Sequence, residues 1–165
     1  MTARVAHTTV DCRDAFALSQ WWKGVLGYGD VEGDPNLPGH EECMIVSPDG
    51  THRLLFIEVP EGKTVKNRLH LDLEPVEGSR DDELARLLAH GAVEVADHRG
   101  QYGPGTGWVV LADPEGNEFC ILRTLAEREG STAGAVAAQL NRTRARLRVE
   151  HLLAVERVEP PTERC

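Results

Sequence analysis

Residues 108–122 read WVVLADPEGNEFCIL, two apolar runs separated by the turn Asp113-Pro-Glu-Gly116. Pro114 presets the backbone of such a turn, and Gly116 supplies the conformational freedom that closes it. Short apolar runs bounded by turn residues favour β-strands. The stretch therefore predicts a β-hairpin, and an earlier pair of runs, Cys43-Met-Ile-Val46 and Arg53–Val59, predicts a second hairpin around Ser47-Pro-Asp-Gly50.

Each hairpin completes a longer pattern that occurs twice. Alternating residues at Val5–Asp11 and Arg68–Leu73 predict strands, and each strand is followed by an apolar-periodic stretch that ends at a glycine, Gly27 or Gly91. A short strand is also predicted near Val93–Val95. The order is therefore strand, helix, three strands in both halves, which indicates an internal repeat.

The predicted fold class is α+β, with two tandem βαβββ modules that form one cavity. The first module is predicted at residues 1–60 and the second at 65–125. Residues 126–165 differ in character, with an alanine-rich start and four alternating arginines from Arg142 to Arg148. We expect a mainly helical extension there, docked on the body, on another subunit, or simply solvated.

Bulk composition excludes several functional classes. The 165 residues carry a formal net charge of −9, so a polyanion such as nucleic acid would be repelled. No apolar run approaches the ~20 residues of a membrane span, and no signal peptide is evident, which predicts a cytoplasmic protein. Four cysteines lie far apart, without the spacing of a disulfide scaffold or zinc ribbon.

Four side chains at matched positions form a candidate metal site. Glu58 follows His7 by 51 residues and Cys120 follows His70 by 50, which joins the first strand of each module to its last. If the modules pack about a pseudo-twofold axis, these four side chains converge. Imidazole and thiolate suit zinc, while a carboxylate also admits nickel, cobalt, manganese or ferrous iron. The alternative is that each residue has an ordinary structural role.

Three stretches together resemble glyoxalase-like domains of the vicinal oxygen chelate superfamily, which includes glyoxalases, bleomycin-resistance proteins and dioxygenases. They are HTTVDC with WWKGVLGY (from His7 to Tyr28), KNRLHLDL (66–73) and WVVLADPEGNEFC (108–120). The resemblance implies metal ligands at His7, Glu58, His70 and Cys120. Cys120 departs from the glutamate that metal-dependent relatives generally have there, which leaves Glu58 as the predicted catalytic acid or base.

Two functions follow from this resemblance. The first is a metal-dependent lyase or isomerase acting on a small oxygenated metabolite. The alternative is a metal-free protein of the bleomycin-resistance type that binds a small molecule or drug, for which the acidic body would suit a cation. A homodimer is expected from the resemblance alone. The side chains predicted to line the substrate pocket are Trp21, Trp22, Asp72, Tyr102 and Trp108.

Overall fold

The computed structural model describes residues 2–130, and the order strand, helix, three strands occurs twice within them. The elements are β1 (Thr8–Cys12), α1 (Ala15–Leu26), β2 (Gly29–Asp30), β3 (Glu42–Val46), β4 (Arg53–Glu58), β5 (Asp72–Leu73), α2 (Arg80–Ala89), β6 (Val93–Asp97), β7 (Val109–Ala112) and β8 (Glu118–Ile121). The predicted α+β fold with two repeated modules is confirmed. No helix in this described part is long and apolar enough to cross a membrane.

Both modules belong to one compact unit, Met1–Arg123, and a second unit spans Thr124–Cys165. Residues 125–130 of the second unit are helical. The rest of the extension predicted at 126–165 lies outside the described residues, as do its arginines. The boundaries proposed for the modules at 1–60 and 65–125 stay a prediction.

Each module forms a four-stranded mixed sheet, with strand orders β1-β4-β3-β2 and β5-β8-β7-β6. The first strand of a module runs parallel to the last, and the other neighbours are antiparallel. A parallel pair needs a long crossover connection, which α1 and α2 supply. The two sheets therefore have the same topology, and β1 and β5 are equivalent strands at their edges.

Both helices begin at well-formed N-caps. The Asp14 side chain accepts a hydrogen bond from the backbone N–H of Ala17 at 2.7 Å, before the first residue of α1. Ser79 and Asp82 form a reciprocal capping box at the start of α2. Such caps satisfy N–H groups that have no partner within the helix, and each stabilises its helix by about 1 kcal/mol.

A single apolar core joins the two modules. Phe56 and Phe119 are almost completely buried in it, together with Trp22 from α1. The Trp22 indole lies against the Phe119 ring, with centroids 5.1 Å apart. Full burial of one large apolar side chain contributes about 1.5–3 kcal/mol, and the Trp22–Phe119 contact joins α1 of the first module to β8 of the second.

The two helices are tied to each other by hydrogen bonds. Trp21 Nε1 donates to the His90 carbonyl oxygen at 2.9 Å, and His90 Nε2 lies 3.0 Å from the Trp21 carbonyl oxygen. Arg86 donates to the carbonyl oxygens of Gly24 and Val25, both at 3.0 Å. A Cβ at Gly24 would lie 2.5 Å from the His90 ring, so this close approach requires glycine.

Candidate functional site

The β5–β8 pair brings the second module's predicted site residues onto one face. Asp72 is the register partner of Cys120. Because side chains alternate along a strand, His70 and Asp72 share a side, and Phe119 and Ile121 point the other way, into the core. The face opposite the core therefore carries an imidazole, a carboxylate and a thiol.

These three side chains form a cluster that has the composition of a metal site. One ligand atom from each of His70, Asp72 and Cys120 lies within 4.8 Å of the others. His70 Nε2 is 3.2 Å from an Asp72 carboxylate oxygen, and the two side chains are 40% and 52% exposed. Cys120 is 5% exposed. The cluster therefore has one buried donor at its base and two donors open to solvent.

The environment of Cys120 keeps its thiol protonated. Burial raises the pKa of this thiol to about 12, with a further contribution from the hydrogen bond to Asp72 and from the charge of that carboxylate. The ammonium of Lys66 acts in the opposite direction. Desolvation and a neighbouring anion both disfavour a thiolate. A thiolate at this position therefore requires a compensating cation.

The cluster lies on the wall of a cavity of about 350 Å³, which we call the module-two cavity. Its lining residues are Lys66, His70, Asp72, His98, Trp108, Val110, Glu118, Cys120 and Leu122. Pockets for small ligands begin at about 300 Å³ and are largely apolar with a few polar groups. Both the size and the lining of this cavity suit a small molecule.

One wall of the cavity is aromatic. The Trp108 indole stacks on the Tyr102 ring, with centroids 6.0 Å apart, and lies 5.1 Å from the His98 imidazole. His98 Nδ1 is 2.8 Å from the Gln101 side-chain oxygen, which fixes the orientation of the ring. Tyr102 itself is 67% exposed. The wall therefore offers a flat apolar surface next to the metal-type donors.

Glu118 lines the same cavity, and its carboxylate forms an ion pair with Lys63. Its carboxylate lies 2.9 Å from Lys63 Nζ and accepts a hydrogen bond from the Asn67 backbone at 3.1 Å. Burial alone would raise the pKa of Glu118, yet these contacts lower it to about 2. Glu118 is consequently an ionised group held away from proton transfer.

Glu58 and His7 are placed apart from this cluster. In the β1–β4 pair Thr8 is the partner of Leu54 and Cys12 is the partner of Glu58, so His7 and Glu58 stand at opposite ends. Glu58 accepts a hydrogen bond from the Ala15 backbone N–H at 3.3 Å, on the side of the sheet that holds α1. His7 is exposed and precedes β1. The structure therefore does not bring the predicted four side chains together.

A difference of one residue in spacing explains this arrangement. The separation from His7 to Glu58 is odd, whereas that from His70 to Cys120 is even. Side chains in strands alternate with a period of two, so a change of one residue moves a side chain to the other face. Glu58 consequently shares the helix-facing side with the buried residues Leu54 and Phe56.

The predicted pocket residues divide into two groups. Asp72 and Trp108 line the module-two cavity, and Tyr102 stacks on Trp108. Trp21 packs instead against the second helix, where its ring stacks on His90. Trp22 is 3% exposed, and it also borders a second cavity, of about 420 Å³, between β1 and residues 67–71.

Three polar residues of the cavity, Glu118, His98 and Lys66, were not among the predicted site residues. Glu118 stands two residues before Cys120, so strand alternation would have placed it on the same face. His98 follows β6 and reads in sequence as part of a solvated turn. Lys66 lies between β4 and β5, just before the alternating stretch that starts at Arg68, so no periodicity indicates which way its side chain points.

A family model described as a glyoxalase-like domain matches residues 7–122, and the chain therefore belongs to this family within the vicinal oxygen chelate superfamily. No curated protein sequence matches the chain. The family resemblance suggested by the sequence motifs is confirmed.

Solved structures of the same fold include two fosfomycin resistance proteins named FosX. The Listeria monocytogenes protein, a point mutant in complex with Mn(II) and 1S,2S-dihydroxypropylphosphonic acid, is 16% identical with a TM-score of 0.56, over 78% of this chain and 96% of its own. The Mesorhizobium loti protein is also 16% identical, with a TM-score of 0.54, over 79% and 99%.

A third similar structure is a Bacillus cereus protein described as a possible glyoxalase. It is 14% identical with a TM-score of 0.52, over 73% of this chain and 99% of its own. At identities this low, the structural similarity establishes the shared fold alone, and activity has to be argued from the site itself.

Proposed function

We propose that this protein is a metal-dependent vicinal oxygen chelate enzyme, a lyase or isomerase of a small oxygenated molecule. The observation that carries the proposal is the cluster of His70, Asp72 and Cys120, whose donor atoms lie within 4.8 Å of one another on a cavity wall. The proposal keeps two of the ligands predicted from the sequence and adds Asp72 in place of His7 and Glu58.

The donors fit a divalent transition ion. Catalytic zinc sites typically have three protein ligands and one open position, and they draw on imidazole, carboxylate and thiolate groups. A thiolate favours zinc or cobalt over manganese, which prefers oxygen ligands. Because His70 and Asp72 are both partly exposed, the open side of the cluster faces the cavity.

Several cavity residues have defined roles in such an enzyme. An ion bound at the cluster supplies Lewis acidity, which polarises a carbonyl group or acidifies a water molecule. Trp108 contacts the apolar part of the substrate. His98, held in place by Gln101 and Trp108, is the proposed acid or base, since imidazole most often has this role.

Metal analysis of matched variants tests the proposal. Untagged protein is purified and its metal content measured by mass spectrometry for wild type, His70→Ala and Cys120→Ala. We expect a single equivalent in wild type and its loss in both variants. Cys43→Ala is the matched control, because Cys43 is an equally buried thiol in the core of the first module. Glu58→Gln is expected to retain the metal as well.

Metal-free wild-type protein, even after incubation with zinc or cobalt, would contradict the proposal. Equal loss of metal in the Cys43 control would contradict the assignment of Cys120. A loss confined to Glu58→Gln or His7→Ala would instead favour the site predicted from the sequence.

A second candidate function is metal-free binding of a small molecule, and the aromatic wall supports it. His70 Nε2 lies 3.2 Å from an Asp72 carboxylate oxygen and the Cys120 thiol hydrogen-bonds to Asp72, so the three side chains have polar partners in one another without an ion. This candidate predicts quenching of Trp108 fluorescence by a flat ligand, undisturbed by a chelator and abolished in Trp108→Phe. The homodimer also stays a prediction, which solution mass would test.

A further inference from the structure

Lys66 is a cation of the module-two cavity that has no ion-pair partner within the described residues. It lines the cavity together with His70, Asp72 and Cys120. Within residues 2–130 no carboxylate forms an ion pair with its ammonium group. Lys63, three residues earlier, pairs with Glu118 at 2.9 Å. The two lysines of the segment between β4 and β5 therefore differ in whether a carboxylate pairs with them.

The carboxylates of the cavity are already engaged. Glu118 is held by Lys63 and by the Asn67 backbone. Asp72 contacts His70 and Cys120, and in the proposed metal site its carboxylate is a ligand of the ion. Neither group neutralises Lys66. Lys66 is exposed at the edge of the cavity, so its ammonium group is in position to pair with an anionic ligand.

We infer that Lys66 recognises an anionic group, a carboxylate or phosphonate, on the molecule whose neighbouring oxygen is directed at His70, Asp72 and Cys120. This inference rests on the proposed function and names its substrate class, a small oxygenated anion. The opposite expectation follows from the net charge of −9, which favours a cationic ligand. We expect the local charge of Lys66 to determine the sign of the ligand, because an ion pair at contact distance outweighs distant charges screened by solvent.

Cavity size and lining narrow the substrate further. A volume of about 350 Å³ is near the lower limit for ligand pockets, so the molecule is small. Trp108, Val110 and Leu122 supply apolar contacts on the same walls. The substrate class is therefore a hydroxy or oxo acid with a short apolar or planar portion.

Paired probes of nearly equal shape, one anionic and one neutral, test this inference. Lactate and lactamide have nearly the same shape, and each presents a hydroxyl group next to a carbonyl group. Their affinities for the zinc-loaded full chain are measured by calorimetry for wild type, Lys66→Met, Lys66→Arg and Arg68→Met. Arg68 is the matched control, because it is an exposed cation two residues away that does not line the module-two cavity.

We expect wild type to bind lactate more tightly than lactamide. Lys66→Met should weaken lactate binding about tenfold, the effect of one charge-assisted contact, and leave lactamide unchanged. Lys66→Arg should retain most of the preference, and Arg68→Met should retain all of it. Unchanged zinc content and near-ultraviolet circular dichroism would show that Lys66→Met is folded.

Equal affinities for the two probes, equal losses in Lys66→Met and Arg68→Met, or no binding of either probe up to its solubility limit would overturn the inference. Zinc content in the same samples separates this result from failure of the proposed function. If wild type holds zinc but shows no charge preference, the role of Lys66 alone is refuted. If wild type holds no zinc, the metal proposal fails, and the same titration of the metal-free chain still decides the role of Lys66.

Discussion

Replacement of Asp113 by alanine tests the structural role of the turn in residues 108–122. Asp113 is 2% exposed. Its carboxylate accepts hydrogen bonds from Trp22 Nε1 at 3.1 Å, from the Glu115 backbone at 3.0 Å, and from the backbone and side chain of Asn117 at 2.9 and 3.0 Å. One side chain therefore closes the hairpin and also joins it to α1.

The expected loss of stability follows from these contacts. A hydrogen bond to a charged group contributes about 1.5–3 kcal/mol, and the bonds of one carboxylate are not additive. Removal of Asp113 also relieves the cost of a buried charge, but it leaves the Trp22 N–H buried without its partner. We therefore expect the free energy of unfolding to fall by about 3 kcal/mol, equivalent to a decrease in Tm of roughly 6–12 °C.

Urea unfolding followed by tryptophan fluorescence and circular dichroism measures this change. Asp49→Ala is the matched control, because Asp49 closes the corresponding turn of the first module through Ser47 and Thr51 but is exposed to solvent. We expect the control to change stability little. Equal losses for Asp113→Ala and Asp49→Ala would show that burial and the bond to Trp22 do not make the second turn critical.

Three further predictions concern the cavity and its supporting loop. Gly107→Ala should destabilise the protein by more than about 2 kcal/mol in urea unfolding, because its Cβ would lie 1.9 Å from the His98 carbonyl oxygen and its φ is +85°. Gly39→Ala, also at positive φ but in open space, is the control and should lower the free energy of unfolding less. Glu118, whose pKa is about 2 against 4.5 ordinarily, should stabilise the fold above pH 4.5, and this contribution should be lost as the pH falls towards 2. Unfolding followed as a function of acid pH should lack this loss in Glu118→Gln. An acid transition identical to that of wild type would contradict the ion pair with Lys63. Zinc affinity should rise about tenfold per pH unit near neutrality, because the Cys120 thiol must lose its proton to bind the ion. Competition titrations of Cys120→Asp should show a weaker dependence of zinc affinity on pH. The same pH dependence in both proteins would argue against thiolate ligation.

Local patterns predicted most of the fold. Turn residues at Ser47–Gly50 and Asp113–Gly116 separate apolar runs, and the periodicity of α1 and α2 differs clearly from that of the strands. Strand limits were less predictable: β5 contains Asp72 and Leu73, although alternation begins at Arg68. Ladder hydrogen bonds define a strand, and they depend on where the neighbouring strand ends.

The repeated βαβββ order, the family, and the shared face of His70 and Asp72 could be predicted from the amino-acid sequence alone, because all three follow from patterns within short segments. Which donors meet depends on the tertiary structure. Strand register assigns Glu58 to the helix side, and module packing turns Trp21 and Trp22 towards the core. Register and packing arise from contacts between residues far apart in the chain, whereas the similar spacing of the two modules, 51 and 50 residues, specifies neither.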